Sequence, residues 1–300
     1  MDVKGRTVSL VLGSGGARGM AHIGVIHELT EAGCDIRAIS GCSIGALVGG
    51  AYAAGKLDEF EAWMRSITAF NMISLMDLTW RSGGLIAGSK VIEGLTRIIG
   101  NRDIETLPVA FTAVAANLTL EKEVGIRSGP LPEAIRASIS LPMLLTPVVR
   151  GDAVLVDGGV LNPVPIAPTF GDGTDLTIAV NLGGLPVYPA GRKKPKISSK
   201  AGGFSYTQSM KQLSDLLGLP LPSRPASDPG LLDVANRAFD SMQNSIARQK
   251  LASYPPDQTI EIPRNACGML DFDRAAEMIE LGRKEARRCL EQIARGPADA

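Results

Sequence analysis

The sequence predicts an α/β layered domain built on a largely parallel sheet. Three observations carry that expectation. Short apolar or β-branched runs alternate along the chain with helical patterns, which is the order that layers helices on a parallel sheet. Apolar residues make up 45% and charged residues 21% of the 300, enough for a substantial core and too ordered a composition for a mostly disordered chain. The 34 glycines and 19 prolines follow no collagen period, so they mark tight turns and close backbone approaches. At ~150 residues per domain this length fits one large domain or two small ones. The reading adopted is a single domain over 1–300.

Thr7 to Leu12 (TVSLVL) is the first strand, broken by Gly13-Ser14-Gly15-Gly16-Ala17-Arg18-Gly19. A helix follows from about Met20 to Glu31, with Ile23, Ile26 and Leu29 at helical spacing. Ile36 to Ser40 is a second strand, ended by Gly41-Cys42-Ser43-Ile44-Gly45, and a small-residue helix continues to about Ala54. Helical stretches lie near Leu57 to Ser66 and Lys90 to Ile99. Val109 to Ala116 reads as a buried strand and Glu121 to Arg127 as another. Arg150-Gly151-Asp152 turns between two strands, the second being Val154 to Val156. Leu176 to Leu182 and Thr259 to Ile262 add two strands, and Asp273 to Gln292 is a charged amphipathic helix.

Between the last two strands, about 188–230 differs in composition. Seven prolines punctuate 186–229, and Arg192, Lys193, Lys194, Lys196 and Lys200 cluster without an acid. A stretch this long is uncommon as a loop in a compact domain, so it reads as an insertion. Leu213, Leu216, Leu217, Leu219 and Leu221 beside the basic cluster fit either an apolar lid or leucines packed on the core.

Thirty-one Lys plus Arg balance 31 Asp plus Glu, so no global field gathers nucleic acid. The four cysteines form no C-x-x-C and only two histidines exist, which argues against a zinc site. The N-terminus lacks a signal-type apolar region, and no apolar stretch approaches the ~20 residues needed to span a bilayer. The expectation is a cytoplasmic protein, with peripheral contact at the inner membrane surface through the 192–200 cluster.

Three loops carry chemistry. The glycine loop lies between a strand and a helix start, where backbone N–H groups and the helix dipole favour an anion. On its own it fits an oxyanion hole, a nucleotide phosphate or a structural turn. The acid that a dinucleotide site places after the second strand is absent. Gly41-x-Ser43-x-Gly45 has the spacing of a nucleophile elbow, a pattern that also arises by chance in a glycine-rich chain; its strand-before, helix-after setting favours the elbow. Cys42 beside the apex reads as a small inward hydrophobe. In Val154-Leu155-Val156-Asp157-Gly158-Gly159 an aspartate ends a strand, which suits both a site and an ordinary Asp-Gly turn. His22 and His27 both precede Ser43, so neither stands in the downstream position of a triad histidine. Five residues apart, they sit about 140° around a helix and share no face. If Ser43 is a nucleophile, its base is something other than these histidines; a partly buried carboxylate can serve, and Asp157 is best placed.

Together and in this order, the loops resemble the patatin-like phospholipase family. The residues are Leu12 to Gly19 with Ala21-His22-Ile23-Gly24-Val25, then Gly41 to Gly45, Ala134-Ile-Arg-Ala-Ser-Ile-Ser-Leu-Pro142, and Val156-Asp-Gly-Gly-Val-Leu-Asn-Pro163. The resemblance implies a three-layer α/β/α sandwich and a serine acyl hydrolase with a Ser43–Asp157 dyad, needing no metal or cofactor. It implies an oxyanion hole of Gly15, Gly16 and Ala17 N–H groups, to which elbow geometry adds Ile44. Gly41, Gly45, Arg18, Gly158 and Gly159 are then supporting residues, and Pro142 and Asn162 shape turns. Ser14 departs from the family's usual glycine. The implied substrate is a lipid or other acyl ester; the rival reading is a silent regulatory module on the same fold.

Overall fold

The computed structural model describes residues 3–67, 88–142, 144–188 and 231–295. Nearly all of the 188–230 insertion, with its basic cluster and leucines, lies outside these residues.

Among the described residues eight strands form one mixed sheet: β1 (Thr7–Leu12), β2 (Asp35–Cys42), β3 (Ala110–Asn117), β4 (Lys122–Ile126), β5 (Val148–Arg150), β6 (Ala153–Asp157), β7 (Leu176–Gly184) and β8 (Gln258–Pro263). Their order is β5-β6-β3-β2-β1-β7-β8, with β4 also paired to β3. The ladders joining β8, β7, β1, β2 and β3 are parallel, whereas β3–β4, β3–β6 and β5–β6 are antiparallel. The expected parallel sheet is therefore its centre. The β3 side is antiparallel because hairpins build it, one of them turning at Gly151 as read from the sequence.

β1 is central, and its apolar run is buried on both faces. Leu10, Leu12, Ile178 and Val180 face one large core shared with helices α1 (Ala21–Glu31), α2 (Ile44–Ala53) and α7 (Ala275–Arg295). Val11 and Ala179 face a smaller core with Val164, Ile166 and Ala247, the last from helix α6 (Leu231–Ser253). Helices thus cover both faces of the sheet, giving three layers. Helices α3 (Leu57–Ser66), α4 (Ser89–Ile99) and α5 (Leu131–Ser138) pack around α2 and the β3 side. The first helix runs over Ala21–Glu31, as its pattern from about Met20 suggested, and a 3-10 turn over Gly16–Met20 precedes it. Neither α5 nor α6 was among the expected helices. Among the described residues, no helix is long and apolar enough to cross a membrane.

Candidate active site

One strand brings the site together. β2 runs parallel to β3 and ends with Cys42 opposite Val114. β6 runs antiparallel to β3 and ends with Asp157 opposite Ala115. β4 pairs with Ala113–Asn117 and overlaps both registers, so it occupies the other edge of β3. The carboxyl ends of β2 and β6 therefore meet head to head along a single edge, one β3 residue apart. Ser43 and Asp157, distant in sequence, become neighbours for that reason.

Ser43 turns sharply out of β2, with φ 56° and ψ −123°. A non-glycine residue in this region stores about 1–3 kcal/mol of strain and needs neighbours that hold it. The flanking glycines allow the bend. A Cβ on Gly41 would lie 2.5 Å from Gly45 O, and one on Gly45 would lie 2.1 Å from Leu12 O. Ser43 thus stands on a tight turn between β2 and α2. The end of α5 clamps it: Ser43 N–H donates to Ser138 Oγ (2.9 Å), whose hydroxyl donates to Val114 O (2.6 Å). Two residues on, Ser140 O accepts the Asp157 N–H at 2.9 Å. The same short segment therefore sets the position of both residues.

Ser43 Oγ donates a short hydrogen bond to Asp157 Oδ2. Asp157 is fully buried, and its Oδ1 accepts the Gly159 N–H at 2.7 Å. Burial pushes the carboxyl up to about 6, against the hydrogen bonds from Ser43 and Gly159, which favour the charged form. Gly158 and Gly159 form the buried start of the 3-10 turn after Asp157. Cys42 is buried beside the carboxylate, and burial, reinforced by the Asp157 charge, holds its thiol in the protonated form.

The glycine loop lies against this pair. Gly15, Gly16, Ser43 and Ile44 line one cavity. The N–H groups of Gly15, Gly16 and Ile44 donate to no other described residue, and that of Ile44 lies at the positive end of α2. Ala17 is a correction: its N–H donates to Met269 O at 2.8 Å, so it is already spent. The contact is set by the segment before α7, which the loop sequence does not reveal. Arg18 is buried and braces the loop, donating from Nε to Gly15 O (3.0 Å) and from Nη1 to Arg264 O (3.0 Å). In a planar trans peptide, fixing the Gly15 carbonyl toward Arg18 turns the Gly16 N–H the opposite way.

The histidines take no part. His22 Nε2 bonds Gly13 O at 2.9 Å, and burial lowers its pKa to about 4. His27 meets Glu61 at 2.6 Å. Among the described residues, no group of three or more His, Cys, Asp or Glu is placed to hold a metal ion.

The cavity beside Ser43 encloses about 170 Å³, and apart from Ser14, Ser43 and Gln243 its lining side chains are apolar. Trp63 lines it with Leu47, Leu144 and Phe239. Sequence reasoning missed Ser138, Ser140 and Gln243. The first two lay within the Ala134–Pro142 motif, but Gln243 had no local signal.

A family model for patatin-like phospholipases matches residues 10–170. An NTE family protein of Mycobacterium tuberculosis is 38% identical over 328 aligned positions, which cover 95% of this chain and 91% of its own. Lysophospholipase NTE1 of Coccidioides immitis is 31% identical over 96% of this chain and 18% of its own. Among solved structures, VipD from Legionella pneumophila covers 97% of this chain and 67% of its own at 14% identity, with a TM-score of 0.45.

Proposed function

The chain belongs to the patatin-like phospholipase family, a family of lipid hydrolases, and on that premise we propose that it cleaves acyl esters through a Ser43–Asp157 dyad and an acyl-enzyme. One observation carries the reading: an elbow serine donates to a buried aspartate at the wall of an apolar cavity.

In the proposed first step Ser43 Oγ attacks the ester carbonyl while its proton passes to Asp157 Oδ2. A carboxylate held near 6 is a stronger base than an exposed aspartate and remains ionised at neutral pH. The uncommitted N–H groups of Gly15, Gly16 and Ile44 receive the oxyanion; one such donor is worth roughly 3–4 kcal/mol in comparable sites. Asp157 then gives the proton to the departing alcohol, leaving Ser43 acylated. Water, deprotonated by Asp157, releases the acid and restores Ser43. The apolar cavity and the lysophospholipase name of one relative support a substrate that presents an acyl chain. The basic cluster at 192–200 is proposed to meet anionic headgroups, at about 1 kcal/mol per residue near a charged surface.

The test is fluorophosphonate labelling with peptide mapping, with and without micelles, on wild type and Ser43→Ala. The expected result is one adduct on Ser43, absent from the variant. Folded protein that takes no label in either condition, or takes it elsewhere, overturns the reading.

A further inference from the structure

We infer that Gln243 and Ser14 hold the water that cleaves the acyl-enzyme, an inference that rests on Ser43 and Asp157 acting as proposed above. The cavity beside Ser43 is apolar except at these side chains and Ser43 itself. A water in such a cavity needs two to four polar partners. Gln243 is buried and reaches from α6 to donate Nε2–H to Ser14 Oγ at 3.3 Å. Its Oε1 and the hydroxyl hydrogen of Ser14 bond no described residue, so the pair offers an unspent acceptor and an unspent donor.

Their position relative to the base is read from Gly159. The point where a Cβ on that residue would stand is 2.1 Å from Gln243 Nε2, 2.7 Å from Ser14 Oγ and 3.0 Å from Asp157 Oδ1. Amide, hydroxyl and carboxylate therefore lie close together around Gly159, where no room is left for a side chain. Ser43, the residue to be deacylated, is hydrogen-bonded to the same carboxylate. In the inferred arrangement the water bonds Gln243 and Ser14 at the wall of the cavity that Ser43 also lines. The oxyanion donors proposed above are backbone groups, so the two side chains are free for this task.

The step balances within the site. The water gives one proton to the Asp157 carboxylate as its oxygen bonds the acyl carbonyl carbon. The tetrahedral intermediate collapses, the bond from carbon to Ser43 Oγ breaks, and Oγ takes the proton back from Asp157. The acyl group leaves as a carboxylic acid. Nothing is oxidised or reduced.

The test uses the full chain, a p-nitrophenyl acyl ester, and the variants Gln243→Leu and Ser14→Gly. Losing a hydrogen bond to a buried reacting water slows deacylation by about 10- to 100-fold. Slower deacylation lowers kcat and KM together and leaves kcat/KM, which reports acylation, within about twofold. A burst of p-nitrophenol appears or grows, and intact mass shows the acyl group on the protein. The fluorophosphonate labelling rate stays at the wild-type value. A parallel fall of kcat and kcat/KM, or unchanged kcat with no burst in both variants, overturns the inference. Should Gln243→Leu fail to fold, Ser14→Gly alone decides, since it alters only a loop hydroxyl. Absence of any Ser43 adduct in wild type refutes the dyad itself, which separates the two failures.

Discussion

Replacing Asp157 with asparagine is expected to make the protein more stable at neutral pH while abolishing turnover. The carboxyl is fully buried, and burial raises it from 3.8 to about 6. That rise corresponds to about 3 kcal/mol of preference for the protonated form in the folded chain. Below pH ~4 the group is protonated in both the folded and unfolded states and does not weigh on folding. Between ~4 and ~6 the unfolded chain releases its proton while the folded chain keeps it, so wild-type stability falls as pH rises. Above ~6 both states are ionised and the full penalty stands. Asparagine carries no such charge and is nearly isosteric, with an oxygen able to accept the Gly159 N–H. The stability advantage of Asp157→Asn should thus grow from near zero at pH 4 to about 3 kcal/mol at pH 7, then level off. Other titrating groups are common to both proteins and cancel. Wild-type kcat/KM should rise through the same window, because the base must be ionised. The assay is urea unfolding of both proteins from pH 4 to 8, with ester hydrolysis alongside. A stability difference that is flat across that range refutes the assignment of a buried, raised carboxyl. Activity of the variant within tenfold of wild type refutes its role as base.

Two substitutions test the frame around the pair. Ser138→Ala leaves the Ser43 N–H and Val114 O without their partner; it should cost about 1–3 kcal/mol and lower kcat/KM at least tenfold, by denaturation and ester hydrolysis. Unchanged activity would mean that Ser138 does not position the elbow. Gly45→Ala places a Cβ 2.1 Å from Leu12 O and should destabilise the fold by at least about 3 kcal/mol, read from the urea midpoint. A variant within 1 kcal/mol of wild type would contradict the close contact between β1 and α2.

Legibility in the sequence followed the range of the interactions. The elbow was readable because its requirement is local: glycines two residues either side of Ser43, between an apolar strand and a helix. Asp157 was readable as a strand end, and the placement of both histidines before Ser43 pointed away from a histidine base. The donor set was readable only in part. Gly15, Gly16 and Ile44 keep their N–H groups, but Ala17 loses its own to Met269, a partner that no loop pattern can announce. Arg18 was legible only as a supporting residue, whereas Arg264 and Asp240, distant in sequence, accompany its burial. Gln243 was invisible, since it acts from a helix whose local pattern points at nothing in the loop.

The meeting of β2 and β6 along β3 has a consequence for when the serine becomes reactive. Neither strand touches the other's terminal residue through local chain; a third strand, carrying no reacting group, works as the jig that spaces them. The chain must close long sequence loops before that jig is loaded from both ends, and such contacts form slowly. On the proposed reading, an emerging or partly folded chain carries an ordinary serine, because its pairing with Asp157 waits on the sheet. Reactivity of Ser43 toward an acylating probe thus doubles as a clock for completion of the sheet.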